Sequence, residues 1–155
     1  MSKIAGYKDD AYIRGKAPMT KREIRILTIS LLGINPGDVV VDIGAGTGGL
    51  TMEAAYAADQ GKVYAVEAKE TALELVQKNK EHFNADHVVI IPGKAPEALT
   101  EIKEPVDRVI IGGSGGNMES LFQWCKANTR PGGRVIANFV TLENAAQATT
   151  LMNQY

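Results

Sequence analysis

With 155 residues, 45% hydrophobic and 23% charged, the chain has the composition of one globular domain and excludes disordered and fibrous architectures. A lone cysteine, Cys125, excludes an internal disulfide and a cysteine-rich zinc site. No run of about 18 apolar residues is present to span a membrane, and the polar first 25 residues lack the apolar core of a signal peptide, so a cytoplasmic location is expected. The formal net charge of −1 conceals an asymmetry: residues 1–25 carry seven basic and three acidic side chains, net +4, and the remaining 130 carry ten and fifteen, net −5. A basic leading segment on an acidic body fits either an anionic partner or a solvated polar arm. The bias is too small to indicate nucleic acid.

Thr20 and Glu23 have the spacing of a capping box, which predicts a helix over 20–32 ended by Gly33. Asn35-Pro36-Gly37-Asp38 turns the chain into a first strand at 39–43. Further apolar runs predict strands at 63–66, 88–91, 106–111 and 134–138, the last entered through the turn Arg130-Pro131-Gly132-Gly133. These runs are continuous rather than alternating, as in parallel strands covered on both faces. Between them, Ala72, Leu75, Val76, Asn79 and Phe83 form one helical stripe, and Met118, Leu121, Phe122 and Cys125 another. The alternation predicts a doubly wound, Rossmann-like α/β sheet of five parallel strands in a single domain, 1–155, with an N-terminal arm over 1–19 and the core over 20–155.

The most informative stretch is Asp42-Ile43-Gly44-Ala45-Gly46-Thr47-Gly48-Gly49, a strand end running into a glycine loop that opens a helix. Gly44, Gly46 and Gly49 satisfy the dinucleotide pattern G-x-G-x-x-G. Asp42, Gly44, Gly46 and Gly48 satisfy D-x-G-x-G-x-G, the loop of class I S-adenosylmethionine methyltransferases. An acid two residues before the glycines suits an amino group and is awkward beside a pyrophosphate, which favours S-adenosylmethionine as the cofactor. Glu67, closing the second strand 23 residues after Gly44, is placed for ribose hydroxyls. Lys94 stands where many class I methyltransferases have Asp, so the adenine contact is assigned to the backbone of Ala95.

Four segments carry a closer resemblance: Ala17-Pro18-Met19-Thr20-Lys21-Arg22-Glu23, the glycine loop, Ile111-Gly112-Gly113-Ser114-Gly115-Gly116, and Val140-Thr141-Leu142-Glu143-Asn144. Together they resemble the CbiT-type cobalt-precorrin-6B C(15)-methyltransferases (decarboxylating). The resemblance covers nearly the whole chain from about residue 10. It implies transfer of a methyl group to ring carbon 15 of a tetrapyrrole, loss of carbon dioxide from the acetate on ring carbon 12, a place in cobalamin biosynthesis, and a homotetramer. It further implies cofactor contacts from Thr20, Gly44, Ala45, Gly46, Thr47, Gly48, Glu67 and Ala95.

A substrate rich in carboxylates calls for cations, and Arg14, Lys16, Lys21, Arg22 and Arg25 cluster ahead of the first strand. Lys21 and Arg25, four apart, share a helix face, which is either a substrate contact or a solvated surface. Ser114, in the glycine turn after the fourth strand, and Asn138, ending the fifth, complete the substrate-binding candidates. No metal site, nucleic-acid partner or membrane partner is expected, since His82 and His87 lack ligand spacing and Cys125 lies on an apolar stripe. Two other readings keep the cofactor site: methylation of a different acceptor, or cofactor binding without catalysis. The fifth strand is expected to be an unpaired edge, as though a C-terminal antiparallel hairpin were missing, unless another chain covers it.

Overall fold

A computed structural model describes residues 1–113 and 116–154. Its strands are β1 (Val39–Ile43), β2 (Lys62–Glu67), β3 (Val88–Pro92), β4 (Val106–Ile111) and β5 (Thr129–Ala137). Its helices are α1 (Arg22–Leu32), α2 (Gly49–Ala57), α3 (Glu70–His82), α4 (Met118–Asn128) and α5 (Leu142–Met152). The strands pair in parallel in the order β3-β2-β1-β4-β5. This is the five-stranded parallel sheet expected from the apolar runs. The winding reverses between β1 and β4, and in open α/β sheets that switch point is where ligands bind, beyond the carboxyl ends of the strands.

Alternation along each strand sends side chains to two separate cores. Val40, Val63, Ala65, Val88 and Ile110 pack under α1, α2 and α3. Val39, Val41, Ile43, Val66, Val109 and Ile111 pack under α4 and the short turn at Glu97–Glu101. Full burial of a single Val, Leu or Ile contributes about 1.5–3 kcal/mol, so these two layers hold the sheet between its helices. Asp42 occurs in β1 on the same face as Val40, which directs its carboxyl beneath the glycine loop rather than to solvent.

Three local expectations changed. Thr20 does not cap α1: Lys21 is the N-cap, without a side-chain hydrogen bond, and the Thr20 carbonyl accepts Nη1 of Arg25 at 2.6 Å. Gly33 does end the helix, in the left-handed conformation (φ 63°). β5 begins at Thr129 rather than 134. Val106 faces Thr129 while Arg108 faces Arg134, so Arg130–Gly133 form a bulge within the edge strand, where Pro131 costs no central ladder bond.

The third change concerns residues 1–19, which form no free arm. The Ser2 hydroxyl donates to the Ile29 carbonyl at 2.7 Å and accepts the Ile34 amide at 2.6 Å. Tyr7, Tyr12 and Phe83 stack in one aromatic cluster. The fully buried Arg25 donates to Asp9 at 2.7 Å and to the Tyr7 carbonyl, and lies 4.8 Å from the Tyr12 ring centroid. Glu53, equally buried, accepts the amides of Gly6 and Tyr7 at 3.0 Å each, and its Oε1 lies 3.5 Å from Nε of Arg25. Asn79 on α3 accepts the Ile13 amide at 2.8 Å and donates to the Ile13 and Thr47 carbonyls at 3.1 and 2.9 Å, tying the leading segment to the glycine loop.

Removing one partner of a buried ion pair leaves the other charge uncompensated, at a cost of about 3–5 kcal/mol. Arg25→Ala should therefore lower stability by about that amount in equilibrium urea unfolding, whereas the paired Arg25→Met/Glu53→Leu change should recover most of the loss. Equal destabilisation by the single and double variants would show that the pair is not the anchor.

Candidate active site

The carboxyl ends of β1, β2 and β4 open on a cavity of about 460 Å³. Gly44 and Gly46 line it from the loop after β1, Glu67, Ala68 and Lys69 from the end of β2, and Gly93, Lys94 and Ala95 from the loop after β3. Gly112 and Gly113 close it beyond β4, and Ala17 and Pro18 of the leading segment cover it. Its size falls in the range of small-molecule pockets.

Backbone geometry makes this floor. Gly44 has φ 74°, and a side chain there would put Cβ 2.7 Å from the Gly113 amide nitrogen. Only glycine tolerates both the conformation and the approach. At Gly46 (φ 60°) a Cβ would meet nothing within 4 Å, leaving bare backbone facing open space. Glu67 is held rigidly: Oε1 accepts the Gly46 amide at 2.8 Å and Oε2 accepts those of Ala68 and Lys69 at 2.8 and 2.9 Å. A carboxylate has about four acceptor positions, so three amides leave capacity for a ligand hydroxyl on Oε1.

Asp42 lies behind this wall, 1% exposed, with Oδ2 accepting the Thr51 hydroxyl at 2.7 Å. Burial pushes its carboxyl up to about 6; the Thr51 hydrogen bond lowers it somewhat and the nearby Glu67 charge adds to the rise. Such a group is poised to ionise when a cation arrives, since an opposite charge favours its charged form.

Of the cofactor candidates, Gly44, Gly46, Glu67 and Ala95 reach the cavity; Ala45, Thr47 and Gly48 form the loop behind it, and Thr20 lies two residues beyond Pro18. Of the substrate candidates, Arg14 and Lys21 are exposed on the covering segment. Arg25 is corrected: its full burial and its bonds to Asp9 and the Thr20 and Tyr7 carbonyls leave it no surface for a substrate. Ser114 lies outside the described residues. Asn138 lines an adjoining cavity of about 300 Å³ with Ile111, Gly112, Gly113, Phe139, Asn144 and Gln147. Among the described residues, no group of three or more His, Cys, Asp or Glu could hold a metal ion.

Sequence reasoning did not single out Ala17, Pro18 and Lys69 as walls of the first cavity, or Asn144 and Gln147 as walls of the second. Ala17 and Pro18 come from the segment read as an arm. The amides gave a faint signal, three residues apart on one helix face, that becomes meaningful only once α5 packs on α4.

An acid with a raised folded-state value binds its proton where the unfolded chain has released it, so stability falls with rising pH across that window. Relative to Asp42→Asn, the parent should lose on the order of 2–3 kcal/mol as pH rises from about 4 to about 6, with no further change above. Urea unfolding of both proteins across this range checks the sign, and a constant difference between them would refute it.

The model of the precorrin methyltransferase domain matches residues 10–155. The cobalt-precorrin-6B C(15)-methyltransferase (decarboxylating) of Salmonella typhimurium is 37% identical over 142 residues, covering 91% of this chain and 72% of that protein. The probable enzyme of the same name in Sulfurisphaera tokodaii is 39% identical over 154 residues, covering 98% and 80%. Among solved structures, the precorrin-6y C5,15-methyltransferase of Geobacter metallireducens superimposes with TM-score 0.92 at 32% identity, covering 96% of this chain and 78% of that one. The precorrin 8w decarboxylase of Methanobacterium thermoautotrophicum gives 0.89 at 33% identity, covering 96% and 80%. A tRNA methyltransferase of Aquifex aeolicus, at 18% identity and TM-score 0.78, shares the fold alone. Sequence, strand order and glycine loop thus agree, and the chain belongs to the precorrin methyltransferase family.

Proposed function

We propose that the chain methylates ring carbon 15 of cobalt-precorrin-6B, using S-adenosylmethionine, and releases carbon dioxide from the acetate on ring carbon 12, a step in cobalamin biosynthesis. The observation that carries this reading is the meeting of two cavities at Gly112–Gly113, a charged one beneath the glycine loop and one beside α5 whose described lining is uncharged. A methyl donor and a large acceptor need adjoining sites that open on one another, so that the reacting atoms meet in line. Gly112 and Gly113, which line both cavities, carry no side chain to stand in that path.

The first cavity fits the donor on its own geometry. The bare backbone at Gly44 and Gly46 admits the ligand, and Glu67 would take a ribose hydroxyl on its remaining lone pair. Asp42 would balance the amino group from beneath the loop, and the Ala95 backbone would face adenine. Thr20, Ala45, Thr47 and Gly48 would support these contacts. When bound, S-adenosylmethionine supplies a methyl group already activated by its sulfonium. The protein's contribution is therefore alignment and exclusion of water rather than acid or base catalysis. Ala17 and Pro18 exclude water, and the Asn79 bridge between Ile13 and Thr47 holds that cover in place. Exposed Arg14 and Lys21 on the same segment would meet peripheral carboxylates of the tetrapyrrole.

A homotetramer in the cytoplasm completes the proposal. Ile24, Leu27 and Leu31 form an exposed apolar stripe along α1, which supports association with further copies. Among the described residues no helix is long and apolar enough to cross a membrane.

Incubation with methyl-labelled S-adenosylmethionine and cobalt-precorrin-6B tests the reaction; label absent from the corrinoid would end this reading. In titration calorimetry, Glu67→Ala and Asp42→Asn should each weaken S-adenosylmethionine binding by about tenfold or more, the scale of a hydrogen bond to a charged group. Unchanged affinity in both would remove the cofactor from this cavity. Light scattering on a sizing column should report four copies, and Leu27→Asp should reduce that number.

A further inference from the structure

The two cavities differ in charge. The first carries Glu67, Lys69 and Lys94. The described lining of the second contains no ionisable side chain: its polar groups are the amides of Asn138, Asn144 and Gln147, set against Ile111, Phe139 and Val140. We propose that the amide-lined cavity of Asn138, Asn144 and Gln147 seats the acetate that is lost, and that its freedom from cations promotes departure of carbon dioxide. This inference rests on the precorrin reading above and assigns its second reaction to particular side chains.

A charge argument supports the assignment. In the decarboxylation the bond between the methylene and carboxylate carbons breaks, carbon dioxide leaves, and the electron pair passes into the conjugated ring. The exposed methylene becomes a methyl group by taking a proton from water, so acetate plus one proton gives methyl plus carbon dioxide with no oxidant or reductant. Negative charge leaves the carboxylate as the bond breaks. A Lys or Arg against it would therefore stabilise the starting state more than the transition state and slow the step. Neutral amides orient the carboxylate through hydrogen bonds that lack the strength of cationic ones.

The geometry prepares these amides. Asn138 is pinned at the end of β5, its backbone N–H donating to the Ile111 carbonyl at 3.0 Å and its Nδ2 to Oγ1 of Thr28 at 3.3 Å. Asn144 and Gln147 stand one turn apart on α5, whose start is fixed by Thr141 accepting the Asn144 amide at 3.2 Å. Val140 at the rim is fully exposed, apolar surface that a flat macrocycle would cover and dry. Peripheral carboxylates that are kept can be clamped by exposed cations elsewhere; the one that is lost needs this different setting.

The test measures methyl transfer and carbon dioxide release separately, with label in the methyl group of S-adenosylmethionine and in the substrate acetate. In the unmodified protein the two yields should be equal. Asn144→Lys and Gln147→Lys, both at exposed helix positions, should each lower the ratio of carbon dioxide to methyl by about tenfold, a modest demand on a charge pair near a protein surface. A methylated corrinoid that keeps its acetate should accumulate, identified by mass. Neutral Gln147→Met should lower the two yields together, as loss of a positioning contact would. Binding of S-adenosylhomocysteine to each variant, followed by calorimetry, reports an intact fold. If both lysine variants bind it and keep the ratio at one, the assignment of the acetate is overturned while the methyltransferase reading stands. If the unmodified protein labels no corrinoid, the function itself has failed, a distinguishable result.

Discussion

A fully buried guanidinium dictates how the leading segment covers the first cavity of this molecule. Arg25 emerges from α1 into the space between α1, α2 and the leading segment, where a lone charge would be prohibitively costly. It is compensated by Asp9, by backbone carbonyls at Tyr7 and Thr20, and by the equally buried Glu53. Glu53 in turn collects the amides of Gly6 and Tyr7. Two charges from different helices thus cannot be buried unless residues 6–20 wrap across them. That wrapping carries Ala17 and Pro18 over the cavity and brings Tyr12 to the Gly49 carbonyl at 2.8 Å.

The second constraint is the approach of two loops at the switch point. β1 and β4 are neighbours, so the loops that leave them meet, and a side chain at either Gly44 or Gly112 would encounter the opposing backbone at about 3 Å or less. The same close packing that demands glycine leaves a thin partition between two cavities. Methyl transfer between a donor and a large acceptor is governed by alignment, and side-chain-free backbone where the cavities meet leaves room for it. The polarity of the two sides follows from the elements behind them: strand ends and the α3 entry supply Glu67 and Lys69, while α5 supplies amides.

Much of this was legible in the residues. Continuous apolar runs identified all five strands, with β1 and β4 at the boundaries read from the sequence, because parallel strands buried on both faces leave an unmistakable signature. The glycine loop after Asp42 and the acid at Glu67, singled out from the residues, come together at the first cavity, since local backbone conformation and strand-end placement are properties of short segments. Arg25 was misread because helical spacing with Lys21 indicates a shared face but not which face is covered. The turn expected at Arg130–Gly133 is instead a bulge within β5, since only pairing with β4 shows whether such a segment interrupts or joins a strand.

The sequence by itself determined the fold class, the family and the glycine backbone that floors the first cavity, because periodicity and glycine patterns act within a few residues of one another. The tertiary structure alone decided that the basic leading segment is a packed cover, that Arg25 is an anchor, and that Asn138, Asn144 and Gln147 share a cavity. Those outcomes depend on groups up to about a hundred residues apart, such as Asn138 and Thr28, whose meeting is set by strand order and helix packing rather than by spacing along the chain.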